Sequence, residues 1–299
     1  MAMLRRAVVS LICSGTAPII RRRKMKRLTT TEVSINEHRE SPRKKIFVST
    51  VLFEKNRWTA SREPTFRVSE WMERFQKAGF DGVELWEHHA TKTSLEELNA
   101  IIASSLPIAV FNSYVNFDDE GQEMREKVAG TSKKMRSGAL KFNFGNQENK
   151  LRTYIKNYNQ WRSFFPDDVR MLCECHQGTI MEDPIRAKEI SSQTTAGDVQ
   201  FITHAFSESP ESLRKKLKLF GDQLTHIHAA FFDRKDSAFY RLAQRKDACI
   251  EALRILKGEG FHGSFTIEFT KGVSRPPEDT ERLFENAVAD LEFIRSHLS

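Results

Sequence analysis

From residue 46 onward the chain repeats one pattern: a short apolar run, a polar turn, then a longer stretch with apolar residues at helical spacing. Residues 46–52 read as the first strand. Val68, Trp71, Met72 and Phe75 then fall on one side of a helix that stops at Gly79. Residues 80–86 form the second run. Ser94, with Glu97 three positions on, predicts a helix to about residue 104 opened by a capping box. The third and fourth runs are 106–111 and 139–144, followed by helical patterns at 120–135 and up to Phe165. Four more runs follow at 169–178, 199–204, 224–228 and 263–268. Their helices are expected at 183–192, from Ser209 to Gly221, at 237–257 after a long loop, and at 277–297. Pro184 falls in a first helical turn, where a missing N–H costs little.

Eight apolar runs in strict alternation with eight helices predict right-handed β-α-β units and a parallel sheet. The chain lacks the glycine-rich phosphate-binding fingerprint G-x-x-x-x-G-K-[ST]. The expected architecture is therefore α/β: a single (β/α)8 TIM barrel over residues 46–299. A length of 299 residues suits one barrel of about 250 residues with an extension.

Charge changes the picture once it is divided along the chain. Residues 1–45 hold twelve Lys/Arg against three Glu, a net of +9, so the remainder of the +7 chain carries −2. The basic balance belongs to the extension, and a slightly acidic barrel speaks against nucleic-acid binding, which needs a basic face. Within the extension, basic clusters flank an apolar run at 7–20 that is too short to span a bilayer. The segment reads as a disordered tail, with an organelle transit peptide over 1–30 as the alternative because it is Arg-rich and poor in acids. Four cysteines without a C-x-x-C pair give no disulfide framework and fit a reducing, cytoplasmic setting. Cys173 and Cys175 flank Glu174 on the opposite face of their strand, which suits packing rather than metal ligation.

In such barrels the site lies at the C-terminal ends of the strands. There this chain places E84-L-W-E-H-H89, E174-C-H176, T-H204, H226-I-H228 and T-I-E268. Two Glu and two His on four adjacent strands can converge on one divalent cation. Mixed oxygen and nitrogen donors suit Mn, Fe, Co or Zn better than Ca or Mg.

The segments L-C-E-C-H-Q-G-T, T-H-I-H and F-H-G-S-F-T-I-E resemble the xylose isomerase-like TIM-barrel superfamily of sugar isomerases and epimerases. The layout agrees over about residues 46–297, with the specific matches on the last four strands. The resemblance implies one divalent metal held by Glu174, His228 and Glu268, with a fourth ligand at His204. The epimerase branch has Asp at that fourth position, so this chain departs from it. A second departure is Ser207, where a substrate-touching His is usual; Arg234 keeps the spacing of a sugar-binding Arg. The implied reaction is proton transfer beside a carbonyl through an enediolate, with Glu174 and Glu268 as the catalytic pair. His88, Lys141, His176 and Arg234 are the expected substrate contacts, and Phe53, Trp58, Trp86 and Tyr114 a candidate apolar wall.

Of the remaining residues, Glu84 reads as a barrel-interior ion-pair member and His226 as a support for the ligands. One of His88 and His89 is expected to be a solvated loop residue. His262, before the last strand, lies at the wrong end of the barrel, and Asp233 is as well explained by a loop cap. The expected function is a metal-dependent isomerase or epimerase on a small sugar or hydroxy-carbonyl compound. A polyol dehydratase and a non-catalytic sugar- or partner-binding barrel are the alternatives, with an endonuclease IV-like nuclease disfavoured by charge. The expected partner is a small sugar or sugar derivative, without nucleic acid or membrane, and a homo-oligomer is the remaining assembly to test.

Overall fold

The computed structural model describes residues 43–195, 197–275 and 278–298. The expectations for the extension up to residue 42, and for a helix start at Pro277, lie outside the described residues. Ten strands follow in chain order: β1 (Ile46–Ser49), β2 (Val83–Trp86), β3 (Ile108–Asn112), β4 (Ala139–Phe142), β5 (Arg170–Glu174), β6 (Val199–Thr203), β7 (Leu224–Ala229), β8 (Phe231–Asp233), β9 (Ala238–Tyr240) and β10 (Ser264–Ile267). All except β8 and β9 pair in parallel and close into a barrel in the order β1-β10-β7-β6-β5-β4-β3-β2. The helices are α1 (Met72–Ala78), α2 (His88–Thr91), α3 (Leu95–Ala103), α4 (Gln122–Met135), α5 (Leu151–Arg162), α6 (Pro184–Ser191), α7 (Pro210–Phe220), α8 (Lys246–Gly258) and α9 (Thr280–Leu298). The predicted (β/α)8 barrel is the observed fold.

The barrel strands are buried on both faces, as a parallel sheet covered by helices requires. Outward residues join the helices in the main core, which includes Phe75, Phe142, Tyr158 and Trp161. Alternate, inward residues form a separate apolar plug of Phe47, Val110, Ala139, Leu172 and Ile202. Two positions further along β4, β5 and β6 the same inward face carries Lys141, Glu174 and His204, because side chains repeat with period two. Apolar packing thus gives way to polar groups toward the C-terminal ends of the strands. At the entry to β10 only glycine fits: a Cβ on Gly263 would run into the carbonyl of Thr225 at the start of β7.

Three local expectations are corrected. The first strand ends at Ser49, and Thr50–Phe53 curls into a 3-10 turn, because the Thr50 hydroxyl accepts from the Trp86 amide at 2.9 Å. Ser94 does cap α3, accepting from the Glu97 amide at 3.2 Å. The Glu97 carboxylate instead accepts from the Ser69 amide and hydroxyl, so the capping box is half formed. The helix expected at 237–257 begins only at Lys246. Ala238–Tyr240 pairs antiparallel with Phe231–Asp233, as aromatic residues favouring strands meet across the hairpin at Phe232 and Phe239. Asp183 and Ser209, each followed by proline, cap α6 and α7 as their sequences imply.

Candidate active site

Glu174 closes β5, His204 follows β6, His228 lies in β7 and Glu268 follows β10. Together they offer four ligand atoms, all within 4.8 Å of one another. Glu174 Oε1 lies 3.2 Å from His204 Nε2 and 3.3 Å from His228 Nδ1. Glu268 Oε2 lies 3.4 Å from the same Nε2 and 3.3 Å from the same Nδ1. Glu174, His228 and Glu268 are buried, and His204 is the most open of the four.

His228 carries the fit test for a cation. Its Nε2 lies 3.2 Å from Glu84 Oε2. Its Nδ1 is buried and makes no hydrogen bond among the described residues, although it sits 3.3 Å from two carboxylate oxygens. With the proton on Nε2, toward Glu84, the Nδ1 lone pair faces two acceptors, an arrangement that repels unless positive charge lies between them. Charge gives the same answer. With neutral imidazoles, Glu84, Glu174 and Glu268 against Lys141 leave two negative charges in excess, which a divalent cation balances. Two carboxylate oxygens and two imidazole nitrogens are a donor set for Zn, Co, Fe or Mn.

Protons supply that balance otherwise. Burial would lower His204, but Glu174 and Glu268 lift it to about 9. Burial opposes charge on His228 as well, and Glu268 and Glu84 hold it well above the usual imidazole value. Burial would neutralise Glu174, yet the Lys141 ammonium, His204 and His228 keep its carboxyl well below the carboxylate range. For Glu268 the same contest, led on the lowering side by His228, ends at about 2.

Behind the four lies a buried column. Glu84 accepts from the Asn112 amide at 2.8 Å through Oε1. His226 contacts Ser264 Oγ and Thr266 Oγ1, both at 2.8 Å, and burial takes it down to about 4. Glu84 is thus the interior ion-pair member that its position suggests.

A cavity of about 1030 Å³ opens over the cluster. It is lined by Lys141, His176 and Arg234 among the expected substrate contacts. Lys141 is not a free cation: its Nζ lies 2.7 Å from Glu174 Oε2. His176 Nδ1 is 2.6 Å from the Gln177 carbonyl, and Arg234 donates to Gln177 Oε1 at 3.3 Å. His88 is not among the lining residues; it packs edge-on to Trp86 and stacks on Tyr114, at 4.6 and 5.9 Å between centroids. The solvated partner expected of the pair is corrected too. His89 is buried, bridging Thr50 Oγ1 at 2.8 Å and Glu54 Oε1 at 2.5 Å. Of the candidate wall, Trp58 and Tyr114 reach the cavity, while Phe53 and Trp86 are fully buried. Ser207 accepts from the Phe232 amide at 3.0 Å and donates to the Ala230 carbonyl at 2.9 Å, tying down the β8–β9 hairpin. His262 is exposed, and Asp233 caps its turn and pairs with Arg245 at 2.9 Å. Cys173 and Cys175 are buried in the core.

Several cavity residues have no counterpart among the sequence expectations. Asn143 donates to Glu174 Oε2 at 3.3 Å and leaves its buried Oδ1 without a partner among the described residues. Its place two residues after Lys141 is a usable signal, since both point inward. Phe232, Phe239 and Phe269 also line the cavity, and nothing in their local pattern distinguishes them from core.

No family model and no curated sequence matches the chain. Solved structures do. A D-psicose 3-epimerase from Clostridium cellulolyticum, solved with D-tagatose, aligns with a TM-score of 0.66 at 12% identity, over 85% of this chain and 99% of that one. An IolI protein with a bound zinc atom aligns at 0.60 and 14% identity, over 85% and 99%. Endonuclease IV from Thermus thermophilus aligns at 0.53 and 15%, over 84% and 99%. The chain therefore shares the (β/α)8 barrel fold of these proteins, a fold that serves more than one chemistry.

Proposed function

We propose that the protein is a divalent-metal-dependent isomerase or epimerase acting on a small sugar or hydroxy-carbonyl compound. The observation that carries this reading is the convergence of four ligand atoms, from Glu174, His204, His228 and Glu268, within 4.8 Å of one another at the strand ends. The epimerase and the zinc-bound IolI protein among the fold's neighbours support it. Glu174, His204, His228 and Glu268 would hold the cation. When bound, it supplies Lewis-acid stabilisation of negative charge on a substrate oxygen.

The chain's own residues do the rest. Glu174 and Glu268 rise from β5 and β10, with β6 and β7 between them, so a substrate over the cluster has a carboxylate toward either side. One removes the proton beside the carbonyl and the other returns it, which inverts or relocates the centre. Lys141 keeps Glu174 ionised and opposes negative charge on the substrate. Asn143 Oδ1, His176 and Arg234 accept from and donate to substrate hydroxyls at the cavity wall.

The test is metal analysis of the purified protein and of Glu174→Gln and Glu268→Gln, with deuterium wash-in from D2O into a panel of keto-sugars. The reading predicts one equivalent of metal, lost in the variants, and wash-in that depends on it. Metal content unchanged in both variants would refute it.

A further inference from the structure

Four aromatic rings lie in unbroken contact along the cavity, beginning beside Glu268. Phe269 follows that carboxylate in sequence. It meets Trp58, on the loop after β1, at 5.9 Å between centroids, and Phe239, on β9, at 5.0 Å. Phe239 meets Phe232, on β8, at 4.9 Å. All four line the cavity; Trp58 is 59% exposed, and Phe232, Phe239 and Phe269 are half-buried, the last two with one side against the core. Aromatic rings in a row along a cavity wall offer a flat apolar face to a bound ring.

The ledge is held in shape before any ligand arrives. Arg57 is buried and pairs with Glu278 at 2.8 Å while donating to the Val51 and Leu52 carbonyls at 2.9 and 2.7 Å. Its guanidinium sits 5.0 Å from the Trp58 ring and so supports the indole. At the other end Ser207 fixes the hairpin that presents Phe232. A platform fixed in advance loses little freedom when it binds.

We propose that the substrate is a glycoside: a sugar whose reacting carbon lies over the Glu174–Glu268 cluster and whose second ring stacks on this ledge. This rests on the proposed proton-transfer function. Two features favour it over a free monosaccharide. The cavity, about 1030 Å³, is at the upper end of sites that enclose drug-sized ligands and leaves room beyond one pyranose. The ledge extends over several ring contacts, more than one sugar ring can cover. The C–H face of a second sugar and the flat face of an aryl aglycone both suit such rings, and the shared requirement is a ring joined through the glycosidic oxygen.

The experiment is calorimetric titration of the metal-loaded protein with cellobiose, phenyl β-D-glucopyranoside and methyl β-D-glucopyranoside, repeated on Trp58→Ala and Phe239→Ala. We expect at least one ring-bearing ligand to bind tenfold or more tightly than the methyl glycoside, with that preference lost in both variants. Cellobiose alone identifies a sugar as the second ring, and the phenyl glycoside alone an aryl group. Equal affinities for the three ligands, no binding of either ring-bearing ligand, or a preference that survives both substitutions would overturn the proposal. Metal analysis and deuterium wash-in on the unsubstituted protein separate the two readings. A ring preference found in the unsubstituted protein together with an absence of bound metal and of deuterium wash-in there counts against the proton-transfer function and leaves the ledge standing.

Discussion

Glu84 Oε2 lies 3.2 Å from Nε2 of His228, and both side chains are fully buried. Burial would protonate Glu84, but His228 and His226 hold its carboxyl far below the normal range. A carboxylate accepting at Nε2 fixes the ring's tautomer and turns Nδ1 toward Glu174 and Glu268, an orienting partner of the sort that tunes metal-binding histidines. Glu84→Gln should therefore weaken metal binding by about 10- to 100-fold, read by competition with a chromophoric chelator. Glu84→Ala, which strands buried imidazoles, should also cost roughly 3–5 kcal/mol in urea unfolding. Unchanged affinity in the Gln variant would remove the orienting role.

Metal uptake should release protons. Glu174 and Glu268 lift His204 to about 9, and Glu268 and Glu84 hold His228 well above its usual value, so both rings are expected to carry a proton at neutral pH before metal binds. A cation at the cluster displaces both protons. Adding zinc or manganese to the apoprotein at pH 7 should release about two protons per site, followed with an indicator dye in weak buffer. Affinity should climb as pH rises toward 9. Removing the metal with a chelator should lower the melting temperature, since an ion at a thousand times its Kd adds about 4 kcal/mol to the folded state.

His204→Asp tests what the unusual imidazole does. It replaces a neutral nitrogen donor with an anionic oxygen, which moves preference toward harder ions. After equilibration with equimolar zinc and manganese, the variant should retain a larger manganese share than the parent, measured by mass spectrometry of the eluted metals. An identical ratio would place His204 outside the ligand set.

Away from the cluster, Asp290 sets a pH dependence of stability. It is buried on α9 and accepts from the Leu242 amide at 2.7 Å and the Thr270 hydroxyl at 2.5 Å. Burial outweighs those hydrogen bonds and lifts its carboxyl from 3.8 to about 7. Between these values the folded chain holds a proton that the unfolded chain has released, so stability falls as pH rises through that window. The effect is at most on the order of 4 kcal/mol. In Asp290→Asn the amide still accepts from Leu242 while the Thr270 hydroxyl turns to accept in its place. Urea midpoints between pH 4 and 8 should be flatter for this variant than for the parent.

The barrel was legible because period-two burial and helical spacing are local signals repeated eight times. The cluster was legible for the same reason: 174 and 204 continue inward faces beyond the apolar Leu172 and Ile202, and 228 and 268 continue the polar inward faces of His226 and of Ser264 and Thr266. Partnerships across the barrel were not. Nothing near Lys141 in sequence announces that it is neutralised by Glu174, and nothing near Glu84 announces His228, 144 residues away. The loops were least legible. Residues 231–240 combine aromatic and charged positions that suit a helix start or a hairpin, and Ser207, contributed by another loop, helps to fix the hairpin. The burial of His89 was hidden because its partners, Thr50 and Glu54, lie in a turn that tertiary contacts shape.

The β8–β9 hairpin closes its own ladder, from Phe231↔Tyr240 to Asp233↔Ala238, outside the barrel sheet. It contributes Phe232, Arg234 and Phe239 to the cavity and none of the four clustered side chains. Its sequence can therefore drift, lengthen or be exchanged while the strand ends that hold Glu174, His228 and Glu268 keep their register. Ten residues of rim can in this way be rewritten without moving the strand ends beneath them.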